Sequence, residues 1–143
     1  MSIKQISVFL ENKPGRLQRM TSVLAAHKID LRALSLAETK DFGIARIIVS
    51  DVMDAVTVLK DADFIASLTP VLAVEIPDET GGLDKLLKIF AEAGVNIEYM
   101  YAFLGKSDGN AYMIFRISDT KNAEAKLTAH GLKMLTQEDI ESL

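Results

Sequence analysis

Along the chain the spacing of apolar residues switches repeatedly between a period near two and a period near 3.6. The run ISVFL (Ile6–Leu10) reads as a strand and stops at Glu11-Asn12-Lys13-Pro14-Gly15. Directly afterwards Leu17, Met20, Val23, Leu24 and His27 recur on one helical face, so the Pro-Gly turn sits at a strand-to-helix corner. A β-rich run, IDLRALSLAE, follows, then a turn at KDFG and a third strand, GIARIIVS. Asp51 is placed to cap a second helix over about Val52 to Ala62, and a short fourth strand is expected near Phe64–Leu68.

The same order recurs when the chain is slid on itself by 66 residues, which lays ISVFLENKPGRL over LAVEIPDETGGL. A gapless register from Ile6/Leu72 to Val49/Phe115 contains the identities Gly15/Gly81, Leu17/Leu83, Gly43/Gly109, Ala45/Ala111 and Ile48/Ile114 among others. In the second copy Leu83, Leu86, Leu87, Phe90 and Ala93 share a helical face, Gly94 is a helix C′ residue with Lys28 as its counterpart, and GKSDGN is a turn. Thr120 is expected to cap the last long helix and Gly131 to stop it, before a strand near Gly131–Leu135; the Thr-x-x-Asp of TQEDIESL predicts one more helical turn.

Two successive βαββαβ orders predict an α+β fold of two tandem ferredoxin-like units, residues 1–69 and 70–143, each an antiparallel sheet with two helices on one face. Only Thr69 and Pro70 separate the fourth strand of one unit from the first strand of the next, so the units are expected to pack against each other. Strict alternation in VNIEYMYAFL would put Val95, Ile97, Tyr99, Tyr101 and Phe103 on one face, and Met100, Ala102 and Leu104 on the other with Asn96 and Glu98. Neither face is polar, so both need cover, which points to an interface between repeats or a homodimer.

Composition narrows the function. Hydrophobic residues make up 49% and charged residues 25% of the 143, which excludes a disordered chain. A net charge of −4 gives no field for nucleic acid or anionic lipid. The absence of cysteine removes disulfides, thiolate metal sites and a Cys nucleophile, and no apolar run approaches a membrane span, so a cytoplasmic protein is expected. His27 and His130 have no second His at metal-ligand spacing, and no hydrolase, P-loop, zinc-protease or dinucleotide signature occurs, so neither a cofactor nor catalysis is expected.

The pattern of apolar strand, Asn-x-Pro-Gly-x-Leu, amphipathic helix and Ile-Asp-Leu in ISVFLENKPGRLQRMTSVLAAHKIDLRALSLAE resembles an ACT domain, the small-molecule-binding regulatory module. The second copy keeps Gly81 and Leu83 but has Asp78 for Asn12 and Thr80 for Pro14. The resemblance implies a free-standing tandem ACT protein that binds a free amino acid at the seam between paired units and acts on a separate metabolic enzyme or regulator. It nominates Asn12, Pro14, Gly15, Arg16 and Leu17, with Asp78, Gly81, Gly82 and Leu83 in the degenerate copy. Asn96, Tyr99 and Tyr101 are second-strand candidates facing the first corner, against Asp30, Ala33 and Ser35 in the first unit, which makes the Asn12 corner the better site.

The residues themselves fit that role. Glycine lets a ligand approach the backbone, the first amides of a helix lack intrahelical acceptors, and the positive helix end favours a carboxylate. Two other readings share the fold order. A small metabolic enzyme would need titratable groups converging in a cleft, and an RNA-binding module would need its basic-aromatic motif on the central strands, which neither GIARIIVS nor AYMIFRIS shows.

Overall fold

The computed structural model describes residues 2–38, 41–104 and 109–143. The expected KDFG and GKSDGN turns fall partly on residues 40 and 105–108, outside the described residues. Twelve elements follow one another: β1 (Ile3–Glu11), α1 (Arg16–Ala26), β2 (Leu31–Glu38), β3 (Phe42–Val49), α2 (Val52–Asp61), β4 (Ile65–Pro77), α3 (Gly82–Glu92), β5 (Ile97–Ala102), β6 (Asn110–Ile117), α4 (Thr120–Ala129), β7 (Lys133–Met134) and α5 (Gln137–Ser142). This is the βαββαβ order twice, the long β4 closing one copy and opening the next, with α5 added at the end. The chain divides into two compact units, one of Lys4–Thr69 with Ile140–Leu143, the other of Pro70–Asp139 with the N-terminal residues up to Ile3.

In the first unit β3 is antiparallel to both β1 and β2, and the first stretch of β4 flanks β1, where the Ser7 and Thr69 hydroxyls lie 3.1 Å apart. Its core joins Ile6, Val8 and Leu10 of β1 and Ala45, Ile47 and Val49 of β3 to Met20 and Leu24 of α1 and Ala55 and Leu59 of α2. In the second unit β6 lies between β4 and β5, β7 pairs with β4, and Leu72, Val74, Ile76 and Phe115 pack on Leu86, Phe90, Ala123 and Leu127. Each core arises the same way, from alternate strand positions meeting the apolar stripe of two helices.

Several expectations are corrected. Thr69 and Pro70 do not separate two strands; they lie inside the 13-residue β4, whose two ends serve different units. The 66-residue register is not gapless: Ile6 faces Ile47 while Leu72 faces Phe115, so β3 and β6 correspond at an offset of 68, with the two extra residues in the second copy's β5–β6 hairpin. Gly43/Gly109, Ala45/Ala111 and Ile48/Ile114 are therefore not structural counterparts. Asp119, not Thr120, caps α4, its carboxylate accepting from the Asn122 amide at 3.1 Å. Leu83 is exposed rather than on the core face of its helix.

The expected alternation in the second strands also fails, for a reason common to both copies. A bulge between Leu31 and Ala33, and another between Ile97 and Tyr99, adds one residue (Arg32 or Glu98) to the strand. Beyond it the faces swap, so Met100 joins Ile97 on the helix-side core, and Tyr99 and Tyr101 turn away from it. The extra residues are polar and both find partners. Glu98 sits 3.4 Å from Arg116, and the Arg32 guanidinium pairs with Asp30 while donating to the carbonyls of Ile140 at 3.1 Å and Glu141 at 3.2 Å. Through those bonds the C-terminal residues belong to the first unit.

Helix ends distinguish the copies. Gly94 and Gly131 take the left-handed conformation after α3 and α4, but after α1 and α2 the same geometry is forced on Lys28 (φ 57°) and Asp63 (φ 68°). For a residue with a Cβ this costs about 1 kcal/mol. Lys28→Gly is expected to stabilise the protein by about 0.5–1 kcal/mol, read as a raised urea midpoint at unchanged m-value. At the other end of the chain, α5 begins with the expected capping box: the Thr136 amide donates to Asp139 Oδ2 at 2.8 Å and the Asp139 amide to Thr136 Oγ1 at 3.1 Å. The Thr136 amide, with its hydroxyl, holds the Asp139 carboxyl below its ordinary range. That contribution is present above the unfolded pKa of Asp139 and is lost as pH falls through the lower, folded one. Asp139→Asn should therefore lower thermal stability at neutral pH, with the gap to the parent closing as pH drops below the ordinary Asp range.

Candidate functional site

The two strand-to-helix corners are built by the same backbone bonds. In the first, amides of Asn12, Lys13, Arg16 and Arg19 donate to the carbonyls of Asp41, Glu11, Lys13 and Gly15, and in the second those of Asp78, Glu79, Gly82 and Lys85 donate to Gly109, Pro77, Glu79 and Gly81. Gly15 and Gly81 are the N-caps of α1 and α3, both at φ 84°. That left-handed step redirects the chain from strand into helix and favours glycine; a Cβ on either would meet nothing within 4 Å. No side chain caps either helix start, so beyond the Arg16 and Gly82 amides, which bond the Lys13 and Glu79 carbonyls, the next two amides of each first turn remain available.

Away from the glycines the corners diverge. Arg16 is the first residue of α1 and projects beside the turn, whereas a Cβ on its counterpart Gly82 would lie 2.5 Å from the Pro77 carbonyl oxygen. Asn12 and Lys13 become Asp78 and Glu79, replacing an amide and a cation by two carboxylates. Pro14 is exposed in the first turn, and Leu17 is partly buried against the first unit's core. In the second turn Leu83 is exposed.

A cleft of about 530 Å³ opens beside the first corner. Of the residues nominated from sequence, Asn12 and Arg16 line it. The rest of its lining was not nominated: Glu11 and Lys13 from the turn, Arg19 from the second turn of α1, Asp41 and Phe42 at the start of β3, Asp63, Phe64 and Ile65 after α2, and Phe9 and Leu10. Arg19 carried a readable signal, since it follows Arg16 by three residues and so shares its helix face. Asp63 and Phe64 carried none, because only the tertiary fold brings the end of α2 to α1. Asn96, Tyr99 and Tyr101 lie in the second unit, Asn96 just before β5 and the tyrosines on it, with ring centroids 6.5 Å apart and nearly parallel.

Charges in the cleft fall into two sets. Lys13 Nζ bonds Glu11 at 2.8 Å, Arg16 stands 3.9 Å from the same carboxylate, and the Lys13 bond chiefly holds the Glu11 carboxyl below its ordinary range. Arg19 donates to the Ala62 carbonyl at 2.8 Å and lies over the Phe64 ring, 4.8 Å from its centroid. Among the described residues Arg19 has no carboxylate partner, and Asp41 and Asp63 have no cationic one. No group of three or more acidic, His or Cys side chains suited to a metal ion occurs among those residues, and no helix is long and apolar enough to cross a membrane.

A family model described as an ACT domain pair matches residues 1–143. No curated protein matches the sequence. The crystal structure of protein BT0572 from Bacteroides thetaiotaomicron is 40% identical with a TM-score of 0.92, covering 100% of this chain and 98% of that one. The ligand-free regulatory subunit of aspartate kinase from Thermus thermophilus has the same fold at 20% identity, TM-score 0.68, over 90% of each chain, and its counterpart from Thermus flavus at 20% identity, TM-score 0.62, over 88% of each. The match over the whole length, carried by two βαββαβ units with one corner architecture, means that the chain belongs to the ACT domain pair family.

Proposed function

We propose that this protein is a non-catalytic amino-acid sensor of the cytoplasm, which takes one free amino acid per chain at the first unit's corner and passes the binding state to a separate metabolic enzyme or regulator. The observation that carries the reading is the cleft beside the first corner, lined by side chains of both charge signs and adjoining a helix start that no side chain caps. A zwitterion suits that combination. Its carboxylate is drawn to the amide donors and cations, and its ammonium to Asp41 or Asp63. In the second corner Asp78 and Glu79 stand where Asn12 and Lys13 stand in the first, which disfavours a carboxylate there. A neighbouring ACT unit from a second copy of the chain completes the site; Asn96, Tyr99 and Tyr101 are the proposed contributors.

Catalysis would need a nucleophile or a poised acid–base pair in the cleft, and its lining offers paired or solvent-facing charges instead. Regulation by separate chains has a parallel in the aspartate kinase regulatory subunits of similar fold. To act as a switch, the ligand must bind two arrangements of the protein unequally, a tenfold preference corresponding to about 1.4 kcal/mol.

Isothermal titration across the twenty amino acids tests the reading. At least one is expected to bind at one site per chain, with binding lost in Gly15→Asp and weakened about tenfold in Asn12→Ala, while Gly81→Asp leaves it intact. Silence across the panel, or binding indifferent to both first-corner changes, would contradict it.

A further inference from the structure

Resting on that reading, we infer that the ligand is an amino acid with a large apolar, aromatic side chain, and that Arg19, rather than Arg16, anchors its carboxylate. Two observations meet in the one cleft. The first is an exposed pair of rings. Phe9 and Phe42 are 41% and 45% exposed with centroids 4.8 Å apart, and Ile65 beside them is 70% exposed. Phe9 and Ile65 also border an apolar hollow with Ile44, so the cleft has a broad hydrocarbon floor. At about 530 Å³ the space exceeds what a small polar amino acid fills. A side chain laid on that floor removes exposed ring surface from water, which is worth about 25 cal/mol per Å².

The second observation is the distribution of charge. Glu11 is engaged by Lys13 and approached by Arg16, so those two cations already have a carboxylate of the protein beside them. Arg19 instead has a carbonyl and the face of Phe64 as partners, which fix the guanidinium without cancelling its charge. Its remaining donors are suited to a carboxylate. Asp63, held in the left-handed conformation directly before Phe64, brings a carboxylate into the same lining for the ammonium.

The test is isothermal titration of L-phenylalanine, L-serine and 2-phenylethylamine against the parent, Phe42→Ala and Arg19→Gln, with circular dichroism confirming that the surface variants fold. L-phenylalanine should bind the parent at least tenfold more tightly than L-serine, and each variant should lose at least tenfold for it. Phenylethylamine, lacking the carboxylate, should lose affinity in Phe42→Ala but not in Arg19→Gln. Preferred binding of L-serine, lost in Gly15→Asp yet indifferent to Phe42→Ala, would overturn the aromatic assignment while leaving the sensor reading standing. Phenylalanine binding lost in Arg16→Gln but intact in Arg19→Gln would overturn the anchor. If Phe42→Ala changes only the oligomeric state, the rings belong to an interface and the inference fails.

Discussion

The functional architecture depends on a single backbone step, the left-handed glycine that ends each strand-to-helix corner. At φ 84° Gly15 turns the chain out of β1 and starts α1 with no side chain over its first turn. A residue that capped the helix from this position would satisfy an amide and close the site, and one with a Cβ would strain the turn. Gly81 makes the same step and keeps the same backbone bonds, so the second corner has the same shape with carboxylates in place of the amide and cation. The two copies share the backbone scaffold and differ in the side chains placed on it.

What surrounds the first corner comes from three stretches of the chain: the end of β1 with the turn and the first two turns of α1, the start of β3, and the residues after α2. Their convergence follows from β3 pairing antiparallel to β1, which returns Asp41 and Phe42 to the end of β1, where Phe42 faces Glu11 and the Asn12 amide donates to Asp41. Packing of α2 beside α1 on the core face then brings Asp63 and Phe64 to Arg19. The strain at Asp63 is the cost of aiming that segment, where the second copy has the unstrained Gly131. Rigid elements thus position each charge, which is what discrimination between similar small ligands needs.

Much of this was legible in sequence. Helical and strand periods marked most of the elements, and agreement of turn, period and cap in two copies marked the repeat where identity was weak. The corner glycine, the Asp51 cap, the Thr136–Asp139 box and the left-handed end at Gly94 all follow from local chemistry, and the repeat places Lys28 in the position equivalent to Gly94. The bulges at Arg32 and Glu98 do not, because an extra residue in a strand has no signature when both faces are apolar; assuming period two therefore reversed Met100. Nor does the two-residue insertion before β6, since chance identities such as Gly43/Gly109 mimic a continuous register. The floor and far wall of the cleft were illegible because Phe42 and Phe64 reach it only through tertiary pairing.

We propose that the first corner, and not the second, meets a free amino acid through its open helix start. The most direct measurement is a titration of the ¹⁵N-labelled protein with the amino-acid panel, followed by amide chemical shifts. A ligand should move the amides of Gly15, Arg16, Leu17 and Gln18 saturably and leave those of Gly81, Gly82, Leu83 and Asp84 nearly in place. Equal movement at both corners, or saturable shifts confined to residues away from Gly15, would contradict it.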